Sequence, residues 1–338
     1  MTSSSCLRAW PLWPALKSLP SPVIRSLTLI AALVLTPAFS WTTPAANATV
    51  LFDEGKRALE VDISELFPEQ SRVQISRWIE HLAHSLTLVY GHWPRERWAI
   101  DVEPVSGSID DPIPWAQVHR EKIDRVAFYV LSSVSADTLK HEWTGYHEVA
   151  HLLLPYRGWG DTWFSEGLAS YYQNLLQARV GVLSEEQMWQ KLYDGFARGK
   201  ADDRFDGQTL LLVNQQMREK GGYMRVYWSG AWYFFAADIS LRAQSNGAYS
   251  LDNALKQLNS CCAAQSLSVA EIIAHLDAST DQKMFSELYQ RVYQSRKMPP
   301  YASLFAQLGI EIKNGQVSLV ADGANARRRR EFLSSTAL

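Results

Sequence analysis

Two histidines four residues apart, with a glutamate directly after the first, constrain this chain more than any other feature. On an α-helix, residues i and i+4 lie about 40° apart around the axis and about 6 Å apart along it. The imidazoles of His147 and His151 can therefore bind one metal ion. Glu148 lies about 100° from His147, so its carboxylate can reach a water molecule on that ion without being a ligand. This is the position of a general base. The alternative interpretation is two core histidines on a buried helix face.

A third candidate ligand, Glu166, follows in the segment Trp163–Gly167. Zinc in hydrolytic sites takes three protein ligands and keeps one position open for water. His147, His151 and Glu166 can supply these ligands, which leaves Glu148 to act as the base. By itself, Glu166 would be an ordinary carboxylate near a helix start, where the helix dipole favours it. The two histidines are what make it a predicted zinc ligand.

Composition excludes one class of partner. The chain has 338 residues, with 33 Lys and Arg against 35 Asp and Glu and a net charge of −2. This balance creates no overall field that would attract a nucleic acid or an anionic membrane, so we predict no nucleic-acid partner. A hydrophobic content of 47% is typical of a globular protein. Three cysteines are too few for a disulfide-stabilised scaffold.

Residues 1–48 are predicted to be a targeting segment. Basic residues precede an apolar run from Leu27 to Phe39, and Ala46–Ala48 offers small residues at the spacing of a cleavage site. The apolar stretch is also nearly long enough to span a bilayer. A cleaved signal peptide and an uncleaved N-terminal membrane anchor therefore both fit. Either one predicts that the rest of the chain is exported, to the periplasm or the extracellular space.

Residues 49–160 are predicted to form an α+β lobe. Apolar residues recur at three- and four-residue intervals from Glu69 to Tyr90, which indicates an amphipathic helix that Pro94 ends. Short β-prone runs separated by Gly, Pro and Asp predict a small sheet. These runs are Trp98–Val102, Ile113–Val118 and Val126–Leu131. We expect the last of them to lie along a cleft, where its backbone could pair with an extended peptide.

The candidate metal ligands lie on two predicted helices. Ser135 is a candidate N-cap for the first helix, which continues through both histidines until Pro155 stops it. The second helix begins near Asp161, contains Glu166 and continues to about Val180. The third ligand is thus predicted in the first turns of the second helix.

Residues 161–338 are predicted to form a mostly helical lobe. Five further segments show helical spacing. They are Ser184–Ala197, Tyr223–Ala243, Leu251–Leu258, Val269–Leu276 and Asp281–Gln294. Near the C-terminus, two β-prone runs flank Asn314 and Gly315 and predict a hairpin. The predicted fold class is α+β, with a small mixed sheet lobe, a mostly helical lobe and the site in the cleft between them.

The segment Trp163–Tyr172, together with the paired histidines, resembles the gluzincin metallopeptidases. It is similar to the second-helix signature of the M61 glycyl aminopeptidase and M1 aminopeptidase families, and the similarity continues at Tyr227–Ala231 and Ala237–Arg242. The resemblance implies a thermolysin-like catalytic domain, a zinc cofactor and hydrolysis of peptide bonds in a peptide or protein substrate. It also implies that Tyr227 helps to stabilise the oxyanion at the scissile carbonyl.

Three features differ from the M1 pattern. The connection between His151 and Glu166 is shorter, Ser229 occupies a position that usually holds a lysine, and there is no Gly-x-Met-Glu-Asn segment. In M1 enzymes that segment binds the free amino terminus of the substrate. Aminopeptidase and endopeptidase action therefore both stay open. A degenerate, non-catalytic binding or scaffold protein of the cell envelope and a zinc hydrolase with a non-peptide substrate are the alternatives.

Two further groups of residues have a predicted structural role only. His275 has no partner at a metal-ligand spacing and is expected at the surface or in packing. Cys261 and Cys262 are adjacent, so their Cα atoms are about 3.8 Å apart, which is below the usual disulfide range. We expect free or buried thiols at this position, with a strained vicinal disulfide as the second possibility.

Overall fold

In the computed structural model, the first lobe contains one mixed sheet of five strands in the order β1-β2-β3-β5-β4. The strands are β1 (Thr49–Phe52), β2 (Ala58–Ile63), β3 (Arg97–Val105), β4 (Trp115–Arg120) and β5 (Asp124–Leu131). Neighbours β2, β3 and β5 are parallel, whereas β1 and β4 run antiparallel to the strand beside them. The three predicted runs correspond to β3, β4 and β5, and the first two strands were not predicted.

The structure describes residues 49–52, 57–156, 158, 160–280 and 283–334. The predicted targeting segment, residues 1–48, lies outside them. Of the helices in the described part of the chain, none is long and apolar enough to cross a membrane.

The strand predicted to bind an extended peptide has no free edge. β5 pairs in parallel with β3 on one side and antiparallel with β4 on the other. Its alternate side chains Val126, Phe128 and Val130 are fully buried, as expected of a strand inside a sheet. The prediction was therefore wrong about this strand. Among the described residues, β4 is the edge strand on this side of the sheet.

The first helix, α1 (Glu69–Tyr90), has the predicted bounds. It ends at Gly91 rather than at Pro94, because Gly91 has a φ of 80° and its N–H closes the last turn. Glycine adopts this left-handed conformation without a Cβ clash. On the buried face of α1, Trp78 packs edge-on against Phe128 of β5, with ring centroids 5.0 Å apart. This contact fixes α1 against the sheet.

The helix that carries the histidines is divided. Ser135 caps α2 (Ala136–His141) with its hydroxyl oxygen, as predicted. Glu142 then adopts an extended conformation with φ −80° and ψ 126°, and α3 (Trp143–Ala150) begins after it. A 3-10 turn over His151–Leu153 completes the segment. The predicted single helix is therefore two short helices and a turn.

The second part of the chain is mostly helical, as predicted. Its helices are α4 (Thr162–Arg179), α5 (Glu185–Ala201), α6 (Leu210–Lys220), α7 (Tyr223–Gln244), α8 (Leu251–Cys262), α9 (Val269–Thr280), α10 (Met284–Tyr293), α11 (Ala302–Gln307) and α12 (Ala324–Arg330). The predicted hairpin is formed by β6 (Ile310–Lys313) and β7 (Gln316–Leu319). The predicted α+β fold class is thus confirmed, and Thr49–Leu338 forms one compact unit.

Helices α4 and α7 are in close backbone contact at Gly167 and Gly230. A Cβ added at Gly230 would lie 1.9 Å from the carbonyl oxygen of Trp163 and 2.7 Å from the Cα of Gly167. Any larger residue would therefore push the two backbones apart. Because Glu166 and Tyr227 lie within one turn of this contact, it determines how near these two side chains come.

The adjacent cysteines at the end of α8 are joined by a disulfide, with their Cα atoms 3.7 Å apart. The expected free thiols were therefore wrong, and the structure has the vicinal disulfide that was the second possibility. Cys261 is exposed and Cys262 is buried. His275 of α9 lies beside them, with its Nε2 atom 3.9 Å from the Sγ atom of Cys262. This proximity was not predicted, because the two helices meet only in the fold.

Candidate functional site

Helix α3 and the turn after it place the two predicted histidine ligands side by side. His147 lies in the last turn of α3, and His151 follows with φ −56° and ψ −27°, which continues the right-handed helical path. The four-residue spacing therefore keeps its helical geometry, with the ring centroids 5.0 Å apart. Both residues are buried, with 4% and 8% of their surface exposed.

Glu166 of α4 brings a third donor atom to the two histidines. Its Oε2 atom lies 3.1 Å from Nε2 of His147 and 3.7 Å from Nε2 of His151. In a tetrahedral zinc site with bonds of about 2.0–2.1 Å, neighbouring N and O donors are about 3.4 Å apart. The two observed distances lie on either side of this value, and all three donor atoms lie within 4.8 Å of one another, so the three residues could hold a zinc ion.

Two side chains that the sequence analysis missed hold the other nitrogen of each imidazole. Gln173 Oε1 lies 2.8 Å from Nδ1 of His147, and Ser165 Oγ lies 3.0 Å from Nδ1 of His151. Because an amide oxygen only accepts hydrogen bonds, Nδ1 of His147 donates to Gln173, and Nε2 is the nitrogen that faces Glu166 and would bind a metal. Gln173 lies two turns after Glu166 on the same helix, so helical periodicity could have indicated it.

An arginine of the edge strand holds the backbone at the second histidine. Nη2 of Arg120 donates to the carbonyl oxygen of His151 at 2.5 Å, and its Nη1 atom lies 2.7 Å from the Asp124 carboxylate. Asp124 is buried and also pairs with Arg95 at 2.7 Å. These contacts connect the sheet to the end of the helix that carries the ligands. Sequence reasoning also missed this group of residues.

Burial and mutual charge set the protonation preferences of the three ligands. Burial lowers the pKa of His151 to about 3, although the Glu166 charge opposes the shift. Burial by itself would raise the pKa of Glu166, but the two histidines hold it below its usual value. For His147, burial favours the neutral ring, yet Glu166 and Glu148 raise the pKa overall. The pKa shifts of His151 and Glu166 thus favour the forms that bind zinc, neutral imidazole and ionised carboxylate, whereas the raised pKa of His147 favours a proton that a metal ion would displace.

Glu148, the predicted general base, follows His147 on α3 and is half-buried. Burial raises the pKa of its carboxyl to about 7, with His147 opposing this shift and Glu166 adding to it. A group with a pKa near neutral can both accept and return a proton at neutral pH. The local electrostatics therefore suit the role predicted from the spacing.

Helix α7 brings Tyr227 to the same place. Its ring is nearly parallel to that of His147, with centroids 6.3 Å apart and an interplanar angle of 16°. Its hydroxyl forms a hydrogen bond with Glu166. Burial, and then the Glu166 charge, raise the pKa of Tyr227 well above its usual value, so the hydroxyl stays protonated and can donate. The structure thus places all five predicted site residues together.

The chain between the ligands is held in place by α6. Asn214 accepts a hydrogen bond from the N–H of Trp163 at 2.9 Å and donates one to the carbonyl oxygen of Gly160 at 2.7 Å. These two bonds anchor the short connection directly before and within the first turn of α4. Ser229, at the usual lysine position, is buried and accepts a hydrogen bond from Arg225 at 3.2 Å.

One protein family matches part of the chain. The M61 glycyl aminopeptidase family profile matches residues 158–220, which include Glu166 and Gln173. The match therefore covers the connection and the helix that supply the third ligand. No curated protein sequence matches the chain significantly.

Solved M1 structures share the fold. The aminopeptidase N family protein from Idiomarina loihiensis aligns with a TM-score of 0.59 at 16% identity, over 79% of this chain and 49% of that one. The M1 zinc metallopeptidase from Deinococcus radiodurans aligns with a TM-score of 0.50 at 17% identity, over 75% of this chain and 52% of that one. This chain thus spans about half the length of these proteins.

Each comparison covers a different part of the predicted resemblance. The M61 match supports it in the sequence around the third ligand. The M1 structures, at identities of 16% and 17%, support it in the fold. Together they support the resemblance predicted from the sequence, over residues 158–220 and in the fold.

Proposed function

We propose that this protein is a zinc-dependent peptidase that hydrolyses peptide bonds in peptide or protein substrates. The observation that carries the proposal is the convergence of His147, His151 and Glu166 at distances that fit zinc, with Glu148 beside them. The Deinococcus radiodurans protein of the same fold is a zinc metallopeptidase, which supports zinc as the cofactor. When bound, zinc lowers the pKa of water and polarises the scissile carbonyl.

Glu148 moves the proton in the proposed reaction. It accepts a proton from the attacking water and returns it to the amine that leaves. Its pKa of about 7, which burial raises, matches this double role. A glutamine at this position would keep the shape of the side chain but could not accept the proton.

The remaining residues position the ligands and stabilise developing charge. Gln173 and Ser165 orient the two imidazoles through Nδ1, which directs each Nε2 atom toward the Glu166 carboxylate. Tyr227 keeps its proton and lies beside the ligands, so it can donate a hydrogen bond to the carbonyl oxygen as negative charge develops there. Tyr227 is therefore proposed as the fourth member of the site.

Glu148→Gln separates the chemistry from metal binding. The variant keeps all three ligands, so we expect one zinc per chain by elemental analysis together with loss of peptide hydrolysis. Glu186→Gln is the matched control, because Glu186 is exposed on α5, and it should behave like the wild type. Turnover at the wild-type rate in Glu148→Gln would contradict the proposed mechanism.

A peptide library with free and blocked amino termini tests the substrate class. Cleavage of blocked peptides would indicate an endopeptidase, and cleavage of free peptides alone would indicate an aminopeptidase. A chain that binds zinc and cleaves neither set would favour the non-peptide hydrolase. Absence of both zinc and cleavage would favour the non-catalytic envelope protein, an alternative that the short connection between His151 and Glu166 and the missing Gly-x-Met-Glu-Asn segment support.

We also propose that residues 1–48 export the protein to the periplasm or the extracellular space, or anchor it to the membrane. Basic residues before an apolar run support this proposal. Fractionation followed by N-terminal sequencing tests it. A mature terminus near Ala48 would indicate a cleaved signal peptide, and a full-length membrane-bound chain would indicate an anchor. A full-length chain in the cytosol would contradict export.

A further inference from the structure

A second cluster of metal-binding side chains lies where α8 meets α9. Cys261 and Cys262 occupy the last turn of α8, and His275 projects from α9 beside them. The Nε2 atom of His275 lies 3.9 Å from Sγ of Cys262, and the two sulfurs and the imidazole donor lie within 4.8 Å of one another. The peptidase site uses none of these residues.

We propose that Cys261, Cys262 and His275, when the disulfide is reduced, form a second site that binds a thiophilic metal ion, Zn²⁺ or Cu⁺. This inference does not rest on the proposed peptidase activity. In the oxidised form the sulfurs are bonded to each other and are not thiolates, so they do not bind the ion. The site is therefore present only in the reduced protein.

The distance between the two side chains matches that of metal ligands. With a Zn–S bond of about 2.3 Å and a Zn–N bond of about 2.0–2.1 Å at tetrahedral angles, sulfur and nitrogen are about 3.6 Å apart. Cys262 and His275 are already 3.9 Å apart. The two sulfurs would need to separate to about 3.8 Å, and breaking the bond between them permits this. Only the cysteine side chains need to move appreciably.

The donor set selects for soft ions. Thiolates bind Cu⁺ and Zn²⁺ in preference to hard cations such as Mg²⁺ and Ca²⁺, and imidazole suits the same ions. Cys261 and His275 are exposed whereas Cys262 is buried, so an ion from solution can enter from one side. This half-open arrangement leaves a position for water or for an external ligand.

An acidic residue of α9 that interacts with His275 is already engaged. Glu271, one turn before His275, accepts hydrogen bonds from the N–H and the hydroxyl of Ser268 at 2.8 Å and 2.7 Å. The N–H of Glu271 in turn donates to the Ser268 hydroxyl, so the pair caps the start of α9. The predicted donor set is therefore two sulfurs and one nitrogen, without a carboxylate.

Thiol–disulfide exchange with an external dithiol converts the oxidised form to the reduced one. The dithiol gives two electrons and two protons to Cys261 and Cys262 and becomes a disulfide itself, so the exchange is balanced. Adjacent residues hold their Cα atoms about 3.8 Å apart, below the usual disulfide range, and bridges outside that range are more readily reduced. Binding of the ion then displaces the thiol protons.

The test is a metal titration of the zinc-loaded full chain in oxidised and reduced forms. All proteins carry Cys6→Ser, which removes the remaining cysteine. Zn²⁺ is followed by calorimetry and Cu⁺ by competition with a chromophoric chelator. We expect the reduced protein to bind one equivalent of one or both ions beyond the zinc already present, and the oxidised protein to bind none.

Three variants assign the ligands. Cys261→Ser with Cys262→Ser should abolish the additional equivalent while zinc at the peptidase site is retained. His275→Ala should lower the affinity for the additional ion at least about ten-fold. His84→Ala is the matched control, because His84 is an exposed histidine on α1, and it should bind as the wild type does.

Two results would overturn the proposal. One is an additional equivalent bound equally by the oxidised protein or by the double serine variant. The other is a reduced protein that binds neither ion at micromolar concentration. Because zinc at the peptidase site is counted separately in each sample, a negative result here says nothing against the peptidase proposal.

Discussion

The two proposed metal sites of this molecule differ in how much of their geometry the fold fixes. In the peptidase site, Glu166 lies 3.1 Å and 3.7 Å from two imidazole nitrogens, and both histidines are buried. In the cysteine cluster, Cys261 and His275 are exposed, and the sulfurs are joined to each other. The first cluster has its ligand geometry before an ion binds, whereas the second needs a covalent change.

Hydrogen bonds from neighbouring side chains to the ligands account for this difference in geometry. Gln173 and Ser165 each hold the Nδ1 atom of one histidine ligand, and Tyr227 holds the carboxylate. Side chains held in this way lose little further freedom when an ion binds, because their ordering has already occurred on folding. We therefore expect the peptidase site to bind zinc more tightly than the cysteine cluster does.

The largest expected effect comes from removing the third ligand of the peptidase site. Glu166→Ala leaves two histidines, which is one ligand fewer than hydrolytic zinc sites use. We expect its zinc affinity to fall by more than about 100-fold, the upper range seen when only an outer partner is lost. Competition with a zinc chelator measures the change.

The exposed Glu186 supplies the matched control for this measurement. Glu186→Ala removes a carboxylate of the same size from α5 and should leave zinc affinity unchanged. In the reduced protein, Glu166→Ala should also leave the cysteine cluster able to bind its ion. Full zinc occupancy of Glu166→Ala in the presence of the chelator would show that Glu166 is not a ligand.

The second largest effect is expected on stability, from a change at the helix contact that brings Glu166 and Tyr227 together. Gly230→Ala places a methyl group 1.9 Å from the carbonyl oxygen of Trp163, so α4 and α7 must separate. We expect the free energy of unfolding to fall by about 2–3 kcal/mol, the upper part of the usual range for overpacking. Thermal and denaturant unfolding measure it.

Gly160→Ala is the control, because a Cβ at Gly160 meets no atom within 4 Å. This variant should change the free energy of unfolding by less than about 0.5 kcal/mol. Equal stability of the Gly230 and Gly160 variants would mean that the two helices can separate without cost. The proposed control of the distance between Glu166 and Tyr227 would then be incorrect.

Periodicity was a good guide where one side of an element faces the core. The bounds of α1 agree with the predicted Glu69–Tyr90 because its buried face follows the helical repeat. The division of the next helix at Glu142 was missed, since no proline or glycine marks it. The edge position of β4 was missed as well, because strand order depends on contacts that are distant in sequence.

In the site, too, contacts between segments that are distant in sequence were not predicted. His147, Glu148 and His151 follow from spacing on one helix, and Glu166 from a signature on the next. Arg120 holds the backbone of His151 from a strand 31 residues earlier, and no local pattern connects the two. Sequence thus predicted the residues proposed to perform the chemistry, whereas the contacts that hold them arise only when separate elements pack together.

The smallest expected effect, and the most specific one, concerns Gln173. Gln173→Leu keeps most of the side-chain volume but removes the oxygen that lies 2.8 Å from Nδ1 of His147. The ring then loses the contact that fixes its tautomer, and we expect zinc affinity to fall by about ten-fold, the lower range for outer partners. Chelator competition measures this change, and Gln215→Leu at an exposed position of α6 is the control.

Gln173→Glu decides whether the hydrogen bond or the packing matters. A carboxylate oxygen also accepts from Nδ1 of His147 and makes the ring a more basic ligand, so zinc affinity should match or exceed that of the wild type. If both substitutions weakened zinc binding equally, Gln173 would act through packing alone. The hydrogen bond between His147 and Gln173 would then contribute nothing to the tighter zinc binding expected at the peptidase site.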